Sequence, residues 1–226
     1  MPIIAVLNSK GGCGKTTIST NLACAILRRG YSVLLIDTDS KQASARDWHA
    51  ANETNPLPLV ALDRANNFKS LESLIPSYDF IVIDGAAKLE DIIPAAIKAA
   101  DFVLIPVQPS PYDIWAASDL VDIIKARQSV TEGQPKAAFV ISRAIEGTKL
   151  SREIVTALDE YGLGTLENAI MQRQVYAQTA AKGQSVFDAK NLEAIADIDG
   201  MAEEILKYIN TPMRKDVNEH VIHKTA

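Results

Sequence analysis

The chain has 226 residues, 47% of them hydrophobic, with 23 Lys and Arg against 28 Asp and Glu and a formal net charge of −5. That length suits one large domain with a continuous core, and the acidic balance excludes a protein coated in basic residues, so any nucleic-acid contact has to be a local stripe. No apolar run is long enough to span a bilayer and the N-terminus leads straight into a strand-like segment, which predicts a cytoplasmic chain with no stable membrane association.

In chain order, residues 3–7 form a short Val/Ile-type apolar run that predicts a buried strand, and residues 16–29 carry helical spacing. A second strand is predicted at 33–36 and a weaker edge strand at 57–62, followed by a helix at 68–74. Strands at 80–83, 103–107 and 137–141 then alternate with helices at 89–99, 114–128 and 150–161, and a last helix covers 192–209, stopping before Pro212. This alternation predicts an α/β fold, a doubly wound, mostly parallel sheet flanked by helices, with ligand loops at the C-terminal ends of the strands. Residues 1–210 read as a single domain and 211–226 as a flexible polar tail. Cys13 and Cys24 are expected to be free thiols, since Cys13 lies in a glycine loop that a disulfide would lock.

The first predicted strand runs into Asn8-Ser9-Lys10-Gly11-Gly12-Cys13-Gly14-Lys15-Thr16-Thr17 and then a helix. Glycines at 11, 12 and 14 let successive backbone N–H groups face phosphate oxygens, and the start of the helix adds its positive dipole end. Lys15 then reaches the β- and γ-phosphates of ATP, Thr16 offers its hydroxyl to Mg²⁺, and Thr17 bonds the α-phosphate, while Cys13 fills a slot that needs a small side chain. A simple turn needs one glycine and gives no reason for Lys15-Thr16-Thr17.

Lys10 is not required by an ordinary phosphate loop, and Lys-Gly-Gly-x-Gly-Lys-Thr-Thr resembles the deviant Walker A box of the ParA and MinD superfamily. In that superfamily the first lysine crosses a dimer interface to the partner's nucleotide, so the resemblance implies an ATP-sandwich homodimer, with Lys10 and Lys15 both acting on the phosphates.

Asp37-Thr38-Asp39 ends the second strand, and residues two apart on an extended chain face the same side. By the same resemblance Asp37 helps hold hydrated Mg²⁺ and Asp39 orients or activates the attacking water. The family continues with Pro-Gln, whereas this chain has Ser40-Lys41-Gln42. Phe80-Ile81-Val82-Ile83-Asp84-Gly85 has the Walker B pattern, in which Asp84 binds Mg²⁺ through water and Gly85 lets the next turn approach the γ-phosphate. No histidine or arginine near these segments reads as a general base or arginine finger, which predicts weak intrinsic ATPase activity that awaits a partner.

The segment with Trp48 downstream of Asp39, the run 105–111 and Gln172-Arg173-Gln174-Val175-Tyr176 resemble the small, single-domain ParA proteins of plasmids, the ParF-like group, over about residues 3–209. The resemblance implies ATP-dependent partition of plasmid or chromosomal DNA by a nucleoid-associated protein, with a small centromere-binding or adaptor protein as partner. It places Arg143 against the adenine base, with a solvated arginine as the alternative. It also implies nonspecific DNA binding by basic residues of the C-terminal third, Arg173 and Lys190 first, then Lys149 and Arg152, with Lys136 and Lys182 in the same basic set. Ordinary solvated faces compete with that reading. Related cargoes, including carboxysomes, chemoreceptor clusters and conjugation complexes, stay open. A MinD-like membrane switch is disfavoured by Pro212 and the few large apolar residues that follow. The cysteines do not suit an iron–sulfur relative.

Overall fold

A computed structural model describes residues 1–39, 41–71, 75–87, 91–145, 147 and 149–210, the side chains of 70, 75 and 149–153 excepted. Strands β1 (Ile3–Val6), β2 (Val33–Asp37), β3 (Leu59–Ala61), β4 (Phe80–Asp84), β5 (Phe102–Val107), β6 (Lys136–Ala144), β7 (Gly164–Thr165) and β8 (Ile170–Met171) are joined by helices α1 (Lys15–Arg28), α2 (Ser44–Ala50), α3 (Ile92–Ala99), α4 (Pro111–Ala116), α5 (Ser118–Gln128), α6 (Lys149–Asp159), α7 (Gln174–Ala180) and α8 (Leu192–Tyr208). The sheet order is β3-β2-β4-β1-β5-β6-β7 with β8 beside β6, and the paired strands run parallel.

The near-continuous apolar strands follow from burial on both faces. Alternate residues serve opposite layers: Ile4, Val6, Val33, Leu35, Phe80 and Val82 pack with Ile18, Leu22 and Ile26 of α1 and Ile198, Met201 and Ile205 of α8. Ile3, Ala5, Leu34, Ile36, Ile81 and Ile83 pack on the other side with Ile93 and Ile97 of α3 and Leu120, Val121 and Ile124 of α5. The doubly wound parallel sheet is therefore the observed architecture.

Several elements depart from the sequence expectation. The run 57–62 pairs only over Leu59–Ala61, and 68–74 gives a 3₁₀ turn at Ala65–Ser70, with 72–74 outside the described residues. Residues 114–128 split into α4 and α5 at Ala117, because Pro111 starts a helix three residues earlier than the apolar spacing does. Strand β6 continues past 141 to Ala144, where it gains β8 as a neighbour. The seven-residue helices α2 and α7 are too short for their periodicity to register. The tail 211–226 lies outside the described residues.

Gly85 has a packing reason in addition to the one expected of it. Its N–H donates to Val6 O at 3.1 Å, and a Cβ there would lie 2.4 Å from Leu7 Cδ2 and 2.7 Å from Val6 O. Gly85→Ala is expected to lower stability by about 1–3 kcal/mol, as overpacking does. Urea unfolding without nucleotide measures it, and an unchanged midpoint would remove this account.

Candidate nucleotide-binding site

Parallel register assembles the site before any side chain is considered. Val6 pairs with Asp84, and Asp84 pairs with Asp37, so the exits of β1, β4 and β2 lie side by side at one sheet edge. From β1 the chain loops back into α1 through Gly12 at φ 77° and Gly14 at φ 93°, both in the left-handed region that glycine tolerates. Gly14 is the N-cap of α1 and no side chain caps the helix, so its first N–H groups remain available to an anion. Space is open at Gly11 and Gly12, where an added Cβ meets nothing within 4 Å.

The loop is braced from outside. Gln108 Nε2 donates to Gly12 O at 3.1 Å, Ser142 Oγ to Cys13 O at 2.7 Å, Asn8 Nδ2 to Pro106 O at 2.6 Å and Ser9 Oγ to Ala116 O at 2.7 Å. With the Gly12 and Cys13 carbonyls held by these side chains, planarity turns the N–H groups of Cys13 and Gly14 the opposite way. Cys13 is buried and burial pushes its thiol pKa up, so it acts as a small filler; burial likewise pushes Cys24 up to about 12.

Lys15 is buried along its stem and donates from Nζ to Lys10 O at 2.8 Å, inside the loop it is expected to serve. Thr16 Oγ1 donates to Asp84 Oδ2 at 2.7 Å. Ser19 Oγ donates to Asp84 Oδ1 at 3.0 Å. Ser19 is a site residue the sequence reading missed; its spacing of three from Thr16 along one helix face was the available signal. Burial raises the Asp84 pKa to about 7, opposed by the Thr16 hydrogen bond and reinforced by the charge of Asp37. A hydroxyl beside a carboxylate of this kind fits Mg²⁺, which takes few protein ligands and fills its shell with phosphate and water.

Asp37 is fully buried. Its Oδ1 accepts from Asp39 N at 2.8 Å, and its Oδ2 accepts from both N and Nε of Arg46 at 3.2 Å. Asp39 Oδ1 accepts from the backbone N–H groups of Lys41 at 3.0 Å and Gln42 at 2.9 Å. Thr38 Oγ1 donates to Asp84 O at 2.8 Å and accepts from Ala86 N at 2.9 Å, which ties the β2 and β4 exits together.

A cleft of about 180 Å³ brings together Gly11, Gly12, Gly14, Lys15, Thr16, Thr17, Asp39, Asp84 and Arg143. A neighbouring cavity of about 330 Å³ shares Gly14, Thr17 and Arg143 with it and continues past Ile170, Met171 and Tyr176, an apolar lining suited to a planar base. Arg143, exposed and at φ 51°, sits between the two. A larger cavity of about 510 Å³ lies apart, lined by Pro111, Trp115, Tyr161 and neighbours; among the described residues the charge in its lining is Glu160, which does not suit phosphate.

Lys10 does not line the cleft. Its Nζ forms an ion pair with Oδ2 of Asp113 in α4, a carboxylate that is almost fully buried and whose Oδ1 has no hydrogen-bond partner among the described residues. Of the basic residues expected to meet DNA, Arg173 is engaged by Asp197, at 3.0 Å from Nε, and by Glu193. Lys136 Nζ donates to Tyr208 O at 2.8 Å. Lys182 and Lys190 are exposed, and the side chains of Lys149 and Arg152 lie outside the described residues.

A glycine loop between the first strand and helix, facing an acid that ends an adjacent strand, defines a P-loop nucleotide-binding domain. The chain belongs to the CobQ/CobB/MinD/ParA nucleotide binding domain family, whose model matches residues 4–220. It is 32% identical over 208 residues to the maintenance of carboxysome distribution protein A of Halothiobacillus neapolitanus, covering 90% of this chain and 95% of that protein. It is 26% identical to the protein ParA of Rhizobium radiobacter, covering 95% and 100%. Among solved structures, the septum site-determining protein MinD of Pyrococcus horikoshii OT3, complexed with Mg-ADP, superposes with a TM-score of 0.74 at 20% identity, covering 92% and 97%.

Proposed function

We propose that this chain is an ATP-dependent positioning ATPase of the ParA type, which binds Mg-ATP, pairs as an ATP-sandwich homodimer, and in that form holds duplex DNA without reading its sequence. The observation that carries the reading is the convergence of the Lys10–Thr17 loop, Asp39 and Asp84 at one sheet edge. Lys15, Thr17 and the loop amides bind the phosphates, and Arg143 borders the base. Thr16 and Asp84, with Asp37 behind them, would hold Mg²⁺, which supplies neutralisation of charge on the β- and γ-phosphates. Asp39 accepts a hydrogen bond from the attacking water and orients it. Lys10 exchanges Asp113 for the nucleotide of a second copy. Hydrolysis is slow until a small adaptor protein binds, because the arginine that lines the cleft, Arg143, is assigned to the base.

DNA contact in this reading belongs to exposed cations such as Lys182 and Lys190, with Lys149, Arg152 and Arg173 as further candidates. Arg173 has to exchange its carboxylate partners for phosphates. Among the described residues no helix is long and apolar enough to cross a membrane. On the cargo, the motifs resemble those of DNA-partition proteins, whereas the 32% identity to a carboxysome-distribution protein, against 26% to a ParA, favours a protein assembly.

A gel-shift series on arbitrary duplex DNA with ATP, ADP and no nucleotide tests the reading. Binding is expected with ATP alone and to weaken steeply with added salt. Equal binding in all three states, or none in any, would remove the DNA-positioning role.

A further inference from the structure

Arg46 lies near the start of α2, immediately after the turn that carries Asp39. Nothing in its sequence neighbourhood marks it, yet its side chain joins the two halves of the acidic motif. Nε meets Asp37 Oδ2 at 3.2 Å, and Nη2 donates to the carbonyl oxygen of Asp39 at 2.6 Å. The Arg46 side chain is only 33% exposed, and the Asp37 side chain is fully buried.

Two physical consequences follow from that placement. Asp37 is the register partner of Asp84, so two carboxylates end adjacent strands in a buried environment, where a charge without a counter-ion is costly. Arg46 provides the counter-charge. Its planar fork also spans from the end of β2 to the turn beyond it, fixing the Asp39 peptide relative to the sheet. On the other side of that residue Oδ1 is held by the Lys41 and Gln42 amides. With the carbonyl and one carboxylate oxygen both fixed, Oδ2 has no partner among the described residues, and Asp39 lines the phosphate cleft.

We propose that Arg46 is the positioning residue for Asp39: by bridging Asp37 and the Asp39 carbonyl it sets where the free carboxylate oxygen of Asp39 stands over the phosphate loop. This rests on the reading of Asp39 as the group that orients the attacking water. The chain thus carries an arginine that acts on the hydrolytic step from its own acidic turn rather than by touching the phosphate. Lysine is a poor substitute, because one ammonium on a flexible stem satisfies Asp37 without holding the Asp39 carbonyl in the same plane.

The test compares Arg46→Lys and Arg46→Ala with the unaltered protein in three measurements: ATP affinity by titration, single-turnover ATP hydrolysis, and amide hydrogen exchange of the segment 39–47 without nucleotide. Arg46→Lys keeps a positive charge opposite Asp37 and so guards against simple loss of folding. It is expected to bind ATP within about threefold of the unaltered protein while hydrolysing it about 10- to 100-fold more slowly, the scale of a misplaced reacting group. Exchange at Lys41 and Gln42 should quicken, and millimolar guanidinium should restore part of the rate in Arg46→Ala. A rate within about twofold in Arg46→Lys, or an ATP affinity that falls as far as the rate, would overturn the positioning role. Absence of hydrolysis in the unaltered protein would instead defeat the ATPase reading on which it rests.

Discussion

Lys15→Ala is expected to lower ATP affinity by about 100-fold or more, close to 3 kcal/mol, because it deletes the charge-assisted donor to the β- and γ-phosphates. Among the described residues Nζ donates to the Lys10 carbonyl at 2.8 Å and to the Cys13 sulfur at 3.9 Å. Removing it leaves one loop carbonyl to be rewetted and withdraws a nearby positive charge from buried Asp84, which protonation of that carboxyl can offset, so the variant should still fold. Titration with ATP, paired with a thermal melt, separates the two effects. Normal ATP affinity in a folded Lys15→Ala protein would defeat the phosphate-loop assignment and, with it, the proposed ATP-dependent dimer. The dimer and the ATP-dependent DNA shift should vanish together in this variant, since both are proposed to lie downstream of the same binding event.

Asp39→Ala is expected to do the reverse. ATP affinity should hold within about threefold, hydrolysis should fall by about 100-fold or more, and the ATP-bound dimer should accumulate on sizing chromatography. One complication is local: Asp39 Oδ1 also accepts from the Lys41 and Gln42 amides, and alanine loses both bonds. Asp39→Asn resolves it, because an amide oxygen still accepts those hydrogen bonds while the group loses its charge. If Asn and Ala variants are equally slow, the carboxylate acts on the water; if Asn restores the rate, the turn alone is what matters and the water-orienting role falls.

Much of the site was legible because it is contiguous. Ten residues from Asn8 to Thr17 carry the glycines, the lysine and the hydroxyls, and their function depends on local backbone conformation that short-range sequence determines: positive φ at Gly12 and Gly14 and an uncapped helix start. Asp37 and Asp84 were legible too, each the last residue of an apolar strand. Ser19, Arg46 and Asp113 were not. Each acts through a partner outside its own short motif, and nothing about an isolated serine, arginine or aspartate says which distant group it will meet. The same limit explains the basic residues. Arg173 reads as a free cation in the sequence, whereas the fold sets Asp197 and Glu193 of α8 against it.

The sequence by itself determined the parallel α/β layering and the phosphate loop, because apolar runs buried on both faces and a glycine-rich helix entry are local patterns with few alternative solutions. Tertiary structure decided which charges are spent and which are available. Lys10 is held by a buried Asp113, Asp37 by Arg46, and Asp84 has its proton affinity raised by the burial it shares with Asp37. Those outcomes depend on strand order and helix docking that bring residues far apart in the chain within a few ångströms, and electrostatic energy depends on that separation and on burial rather than on position along the sequence.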